Sequence, residues 1–146
     1  MDGMDLGEDE ILARQLAAVA SSVGAAGGMT GRIARRMKKN VHEIDLILPL
    51  PFAEALGRVV RVLDQAGPRC DHAVPGTELR ADAMAVRVVT GGGFGGMNPV
   101  VVTVFVDALP GGQGCAVKLR AAAKEGLIKQ RAGQKTAQRL AALLVD

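Results

Sequence analysis

The stretch TGGGFGGMNPVVVTVFV, Thr90 to Val106, decides the fold: it sets five glycines among positions 91 to 96, directly ahead of a run of valines. Gly91, Gly93 and Gly96 satisfy the G-x-G-x-x-G spacing of a dinucleotide-binding turn. Such a turn holds a pyrophosphate only when a strand precedes it and a helix follows, because the helix amino terminus receives the anion. Met84 to Thr90 supplies a strand, but Asn98-Pro99 and a β-branched run come next, and that run belongs in a strand. No Lys-Ser/Thr pair follows to make a phosphate loop. The glycines therefore read as a bulged or flexible connection between two strands, and no cofactor is expected. Exposed amides in such a bend suit an anion or a partner chain. Gly91, Gly92, Gly93, Phe94, Gly95, Gly96, Met97 and Asn98 are thus a candidate contact loop, with Phe94 and Met97 as apolar tips.

Outward from this hairpin, Ile44, Leu46 and Leu48 alternate with Glu43, Asp45 and Ile47, a strand with one apolar face that Pro49 and Pro51 end. Phe52, Leu56, Val59, Val60 and Leu63 then share a helical face, and Gly67-Pro68 closes that helix. A weak strand pattern lies near Cys70 to Val74 or Leu79 to Ala81, and stronger ones at Met84 to Thr90, Val100 to Asp107 and Cys115 to Ala121. Between the last two, DALPGGQG is a hairpin loop. Leu127 to Val145 returns to helical spacing, with Ala132, Gly133 and Ala137 letting the helix lie close to a sheet. The order β-α-β-β-β-β-α predicts an α+β two-layer sandwich: a mostly antiparallel sheet of four or five strands with two helices on one face.

Residues 1–40 differ from this compact domain, which is assigned to 41–146. Leu12, Leu16, Val19 and Val23 recur at helical spacing behind an acidic first turn, predicting a helix from Gly7 to Val23. Gly24 to Gly31 then reads as a joint, followed by the basic residues Arg32, Arg35, Arg36, Lys38 and Lys39. The helix must bury its apolar stripe somewhere, so self-association or a protein partner through it is expected.

The chain has 146 residues, 49% of them hydrophobic, enough for one domain with an appendage. With no Trp, no Tyr and three Phe, its core must be aliphatic. Two cysteines make no disulfide framework. The acidic amino terminus is unlike a signal peptide, and the uncharged stretch Leu16 to Met29 is only 14 residues long, short of the ~20 a spanning helix needs. A cytoplasmic protein with no transmembrane segment is expected.

Catalytic groups are scarce. His72 sits beside Asp71 and Cys70, but metal-ligand spacing is absent, so no metal is expected. The only serines, Ser21 and Ser22, precede the domain. Glu43 and Asp45 share the solvated face of their strand. Charge is the stronger feature. Val117 to Arg139 holds seven bases and one acid, with Lys118 and Arg120 on one strand face and Arg131, Lys135 and Arg139 in a helical stripe. Lys118, Arg120, Lys124, Arg131, Lys135 and Arg139, with the basic segment Arg32 to Lys39, are the candidate anion-binding residues, for a nucleic-acid backbone or an acidic partner. Base stacking is disfavoured because no Phe has a basic neighbour.

No family motif stands out. The element order strand, helix, strands, long carboxy-terminal helix is similar to that of the START-like helix-grip domains, which implies a fold holding an apolar ligand between sheet and helix. The functional expectation is a small non-enzymatic binding or accessory module. Its alternatives are an anion binder acting through the basic residues, or a pocket for a small apolar ligand or lipid.

Overall fold

The valine run forms the strand Asn98–Ala108, and its alternation serves two faces: Val100, Val102, Val104 and Val106 enter one buried cluster, while Val101 enters another. A strand buried on both sides has to be covered from both sides. We describe the chain from a computed structural model covering residues 7–22, 39–70, 82–92, 98–124 and 131–146. Its elements are α1 (Glu8–Ser22), β1 (Lys39–Leu48), α2 (Phe52–Ala66), β2 (Ala83–Gly92), β3 (Asn98–Ala108), β4 (Cys115–Lys124) and α3 (Ala132–Val145).

The strands make one antiparallel sheet in the order β1-β4-β3-β2. A strand, not a helix, follows the glycines. Pairing of β2 with β3 continues to Gly91↔Pro99 and Gly92↔Asn98, so the hairpin tip is Gly93 to Met97, which lies outside the described residues. The β3–β4 connection is the expected hairpin: Leu109 N–H donates to the Gly114 carbonyl at 2.9 Å, and Gly111 (φ 97°) and Gly112 (φ 72°) take the left-handed conformation that glycine tolerates. The weak strand expected near Cys70 to Val74 or Leu79 to Ala81 lies, apart from Cys70, outside the described residues; just before it Arg69 bridges Val88, and Cys70 N–H donates to the Arg87 carbonyl at 2.9 Å.

Helices α2 and α3 cover one face of the sheet, as the element order predicts. Pro51 caps α2, and Gly67 closes it, its N–H donating to the Leu63 carbonyl at 3.1 Å. Gly67 has to be glycine on steric grounds, because a β-carbon there would run into the Val89 carbonyl. The carboxy-terminal helix begins at Ala132, later than the expected Leu127; Arg131, at φ 53°, stands before it, and residues 125–130 are outside the described set. Its small residues act as anticipated: a β-carbon at Gly133 would come within 3.3 Å of the Ala121 carbonyl oxygen, so this helix rests directly on β4. Arg58 on α2 donates to the Leu144 carbonyl at 3.1 Å, satisfying an acceptor at the negative end of α3. The core between these layers is mainly aliphatic, with Leu48, Val59, Leu63, Val88, Leu119, Leu140 and Leu144 buried in it and Phe52 packed against it. A carboxy-terminal helix on an antiparallel sheet whose first strand pairs with its last makes an α+β, helix-grip-like arrangement.

Helix α1, one residue shorter at each end than expected, packs on the opposite face. Ile11 and Leu12 are buried there against Val101 and Ala122, with Cys70 and Val89 beside them. Among the described residues no helix is long and apolar enough to cross a membrane.

Candidate functional site beneath the amino-terminal helix

Strand register builds this site. Arg87↔Thr103, Thr103↔Arg120 and Arg120↔Glu43 are paired positions, so these four side chains form one polar row across all four strands, on the face away from α2 and α3. Arg87 Nε donates to Thr103 Oγ1 at 2.7 Å. Four residues further along β4, on the same face, stands Lys124, and its paired position on β1 is Lys39. Val101 and Ala122 lie between these charges and form an apolar floor.

The first turn of α1 fits this surface group by group. Glu8 has no exposed surface and takes two hydrogen bonds from Arg120, Nε to Oε2 at 2.9 Å and Nη2 to Oε1 at 3.0 Å. This is the bidentate fork in which guanidinium and carboxylate match best. Lys39 Nζ lies 3.2 Å from Glu8 and 3.4 Å from Asp9, and Lys124 Nζ lies 2.7 Å from the other Asp9 oxygen. Arg120 also donates to Glu43 at 3.3 Å. Burial is deep: 7% of Arg120 and 1% of Lys124 are exposed. The hydrogen bonds it donates to Glu8 hold the Arg120 guanidinium above its ordinary pKa, against the opposing cost of burial. Three cations thus meet three carboxylates, two of which arrive on α1. A buried ion pair is satisfied only when both members are in place.

Beside this cradle, Ile11, Arg14 and Gln15 of α1 meet Pro68, Arg69, Cys70 and Val89 around a cavity of about 140 Å³. Cys70 is half-buried there, whereas Cys115 is fully buried and its Sγ lies 3.5 Å from the Leu50 carbonyl. Burial first, and the Asp107 charge second, push the Cys115 thiol pKa up.

The structure divides the basic residues that the sequence groups together. Lys118 and Arg120 do share a strand face, but Lys118 is exposed while Arg120, like Lys124 further along β4, is buried beneath α1. Lys135 and Arg139 on α3, and Arg131 just ahead of it, are exposed in the layer on the other side of the sheet. Lys39 opens β1 and enters the cradle, while Arg32, Arg35, Arg36 and Lys38 lie outside the described residues. In the contact loop, Gly91, Gly92 and Asn98 are paired strand residues, and Gly93, Phe94, Gly95, Gly96 and Met97 lie outside. His72 and Asp71 also lie outside; among the described residues no cluster of His, Cys, Asp and Glu could hold a metal. Glu43, which strand alternation assigns to solvent, is partly exposed and paired with Arg120. Sequence reasoning missed Glu8 and Asp9 as partners of the cations. The one available signal was that an acidic helix start and a basic strand end are complementary.

No protein-family model matches the chain, and no curated protein is similar to it in sequence. Among solved structures, it is similar to Ara h 8.0201, at 11% identity and a TM-score of 0.41 over 73% of this chain and 93% of that one. The Zhui aromatase/cyclase from Streptomyces sp. R1128 matches at 11% identity and a TM-score of 0.36, over 73% and 88% of the two chains. An Arabidopsis thaliana member of the major latex protein family matches at 12% identity and a TM-score of 0.33, over 71% and 95%. Likeness of this degree does not extend to function.

Proposed function

We propose that this chain is a small non-enzymatic binding module whose working surface is the outer face of its sheet, where buried cations receive carboxylates. The observation that carries the reading is the Arg120–Glu8 fork at 2.9 and 3.0 Å, formed with Arg120 almost wholly buried. A cation held out of water on a sheet face is costly unless an anion meets it, so the face is complementary to carboxylates rather than merely solvated. Lys124 and Lys39 reinforce that preference beside it.

Nuclear magnetic resonance of the isotope-labelled full chain tests this. It is titrated in turn with short poly-glutamate, a DNA oligonucleotide of equal charge and a medium-chain fatty acid. Poly-glutamate at low salt is expected to shift the amides around Lys39, Arg120 and Lys124, and the effect should fade as salt screens the charges. Shifts confined to Arg131, Lys135 and Arg139 with DNA would move the function to the α3 stripe. Shifts around Val117 and Leu140 with the fatty acid would favour a pocket between sheet and helix.

A further inference from the structure

We infer that the solvent side of α3 is a docking surface for an anionic lipid bilayer, lying across the sheet from the carboxylate-binding face and acting independently of it. Arg131, Lys135 and Arg139 follow one another at intervals of four residues, and Lys135 N–H donates to the Arg131 carbonyl at 2.9 Å, so Arg131 already lies one turn before Lys135. At 1.5 Å of rise per residue the row is ~12 Å long, and each step of four turns it by only ~40° about the helix axis. All three side chains are exposed, and none makes an ion pair or a side-chain hydrogen bond among the described residues. The exposed Arg14, Arg61 and Arg69, by contrast, bond Glu10, the Gly57 carbonyl and Asp64. No acid interrupts the row, since α3 carries none from Ala132 to Val145.

Charge complementarity calls for a polyanion, and the residues that continue the row select a bilayer. Leu143 comes one step of four after Arg139 and is 49% exposed, and Val145 beyond it is 56% exposed. Against a phosphodiester backbone, which is met by charged and polar groups, these aliphatic side chains gain nothing. At a bilayer they enter the acyl boundary, while the lysine and arginine stems lie along the surface and bring their heads to the anionic headgroups. The helix is fixed in place for this role. Its inner side buries Ala137, Leu140 and Leu144, its Gly133 rests on the Ala121 carbonyl, and Arg58 of α2 holds the Leu144 carbonyl at 3.1 Å. The row is therefore presented without a cost for ordering the backbone. Contact is at the surface, because among the described residues no helix is long and apolar enough to span a membrane. With α3 on a bilayer, α1 and the cations beneath it lie on the far side of the sheet, so both faces can be occupied at once.

The test is co-flotation of the full chain with vesicles of phosphatidylcholine, alone or mixed with phosphatidylserine. Each cation near an anionic surface is worth about fivefold in partitioning, so the three together should favour the serine lipid about a hundredfold. The preference should fade as the screening length falls from ~10 Å to ~3 Å between about 0.1 and 1 M salt. Lys135→Gln/Arg139→Gln is expected to lose about twentyfold. Leu143→Ala, at unchanged charge, should lose about three- to tenfold, while Leu143→Met, which keeps an apolar side chain there, should bind as the unaltered chain does. Arg14→Gln, which removes a charge on the opposite side of the sheet, should also leave binding unchanged. Circular dichroism of each variant shows whether the fold is kept. Equal partitioning onto the two kinds of vesicle, or a loss with Arg14→Gln as large as with the α3 pair, would overturn the inference. A chain that binds duplex DNA through Lys135 and Arg139 while ignoring both vesicles would make the row a phosphate-backbone surface and refute the bilayer.

Discussion

Replacing Glu8 by Gln keeps the shape of a side chain with no exposed surface and deletes its charge. Arg120 then keeps the partly exposed Glu43 at 3.3 Å, and Lys39 keeps Asp9 at 3.4 Å. Removing one member of a buried pair costs about 3–5 kcal/mol when nothing relaxes. Here α1 can relax by lifting, which sacrifices chiefly the burial of Ile11 and Leu12, each worth about 1.5–3 kcal/mol before the entropy regained is subtracted. The loss is therefore expected in the local opening of α1, by about 2–4 kcal/mol, while global stability changes far less. Hydrogen exchange separates the two, with far-ultraviolet circular dichroism reporting global unfolding, because the chain has no Trp or Tyr to supply a fluorescence signal. Arg120→Met should be harmful alone, since it leaves the Glu8 carboxylate to Lys39 at 3.2 Å, yet mild in combination with Glu8→Gln. Exchange of α1 amides unaffected by Glu8→Gln, or single effects that add to within about 0.5 kcal/mol, would refute the reasoning.

Other outcomes follow from packing and titration. Gly67→Ala drives a β-carbon into the Val89 carbonyl and should cost about 1–3 kcal/mol in chemical denaturation, whereas Gly57→Ala, with open space around it on α2, should stabilise by about 0.5–1 kcal/mol. The unfolded chain releases the Cys115 proton near the ordinary 9.0, before the native chain with its raised pKa does. Stability attributable to this thiol is therefore full below that pH and falls as pH rises toward the native value, by at most about 1.4 kcal/mol per pH unit. Unfolding curves of Cys115→Ala compared with the unaltered chain should lack that alkaline component. Under native conditions a thiol reagent should label Cys70, which lines a cavity, promptly and Cys115 only at the rate of unfolding; two equally fast thiols would contradict the burial described.

Much of the architecture was legible from local pattern. Alternation in β1, the valines of β3, the Pro-Gly-Gly turn at 110–112 and the helical spacing of α2 are each properties of a dozen residues or fewer, and tertiary contacts reinforce them. The small residues of α3 even announced its close approach to β4. The cradle was not legible in the same way. Alternation placed Arg120 on the face opposite Val117 and Leu119 correctly, but periodicity names a face without saying what lies over it. Its cover comes from Glu8, 112 positions earlier, and no local rule joins such distant residues. The burial of Lys124 was not legible for the same reason: a lysine at a strand end ordinarily meets water, and the Asp9 carboxylate that faces it lies 115 positions earlier.

The sheet order β1-β4-β3-β2 also dictates when the molecule can come together. The first strand made in the chain finds its neighbour only in the last, and between the end of β1 at Leu48 and the end of β4 at Lys124 lie 124 − 48 = 76 residues of further synthesis. At ~5–20 residues per second, that is roughly 4–15 s during which β1 and the acidic helix ahead of it wait without their native cover. The hairpins β2–β3 and β3–β4, being local, can zip as they emerge. Birth of this protein is thus a delayed closure, and the charges Glu43 and Asp45 on the waiting strand are well placed to keep it from pairing with a stranger in the interval.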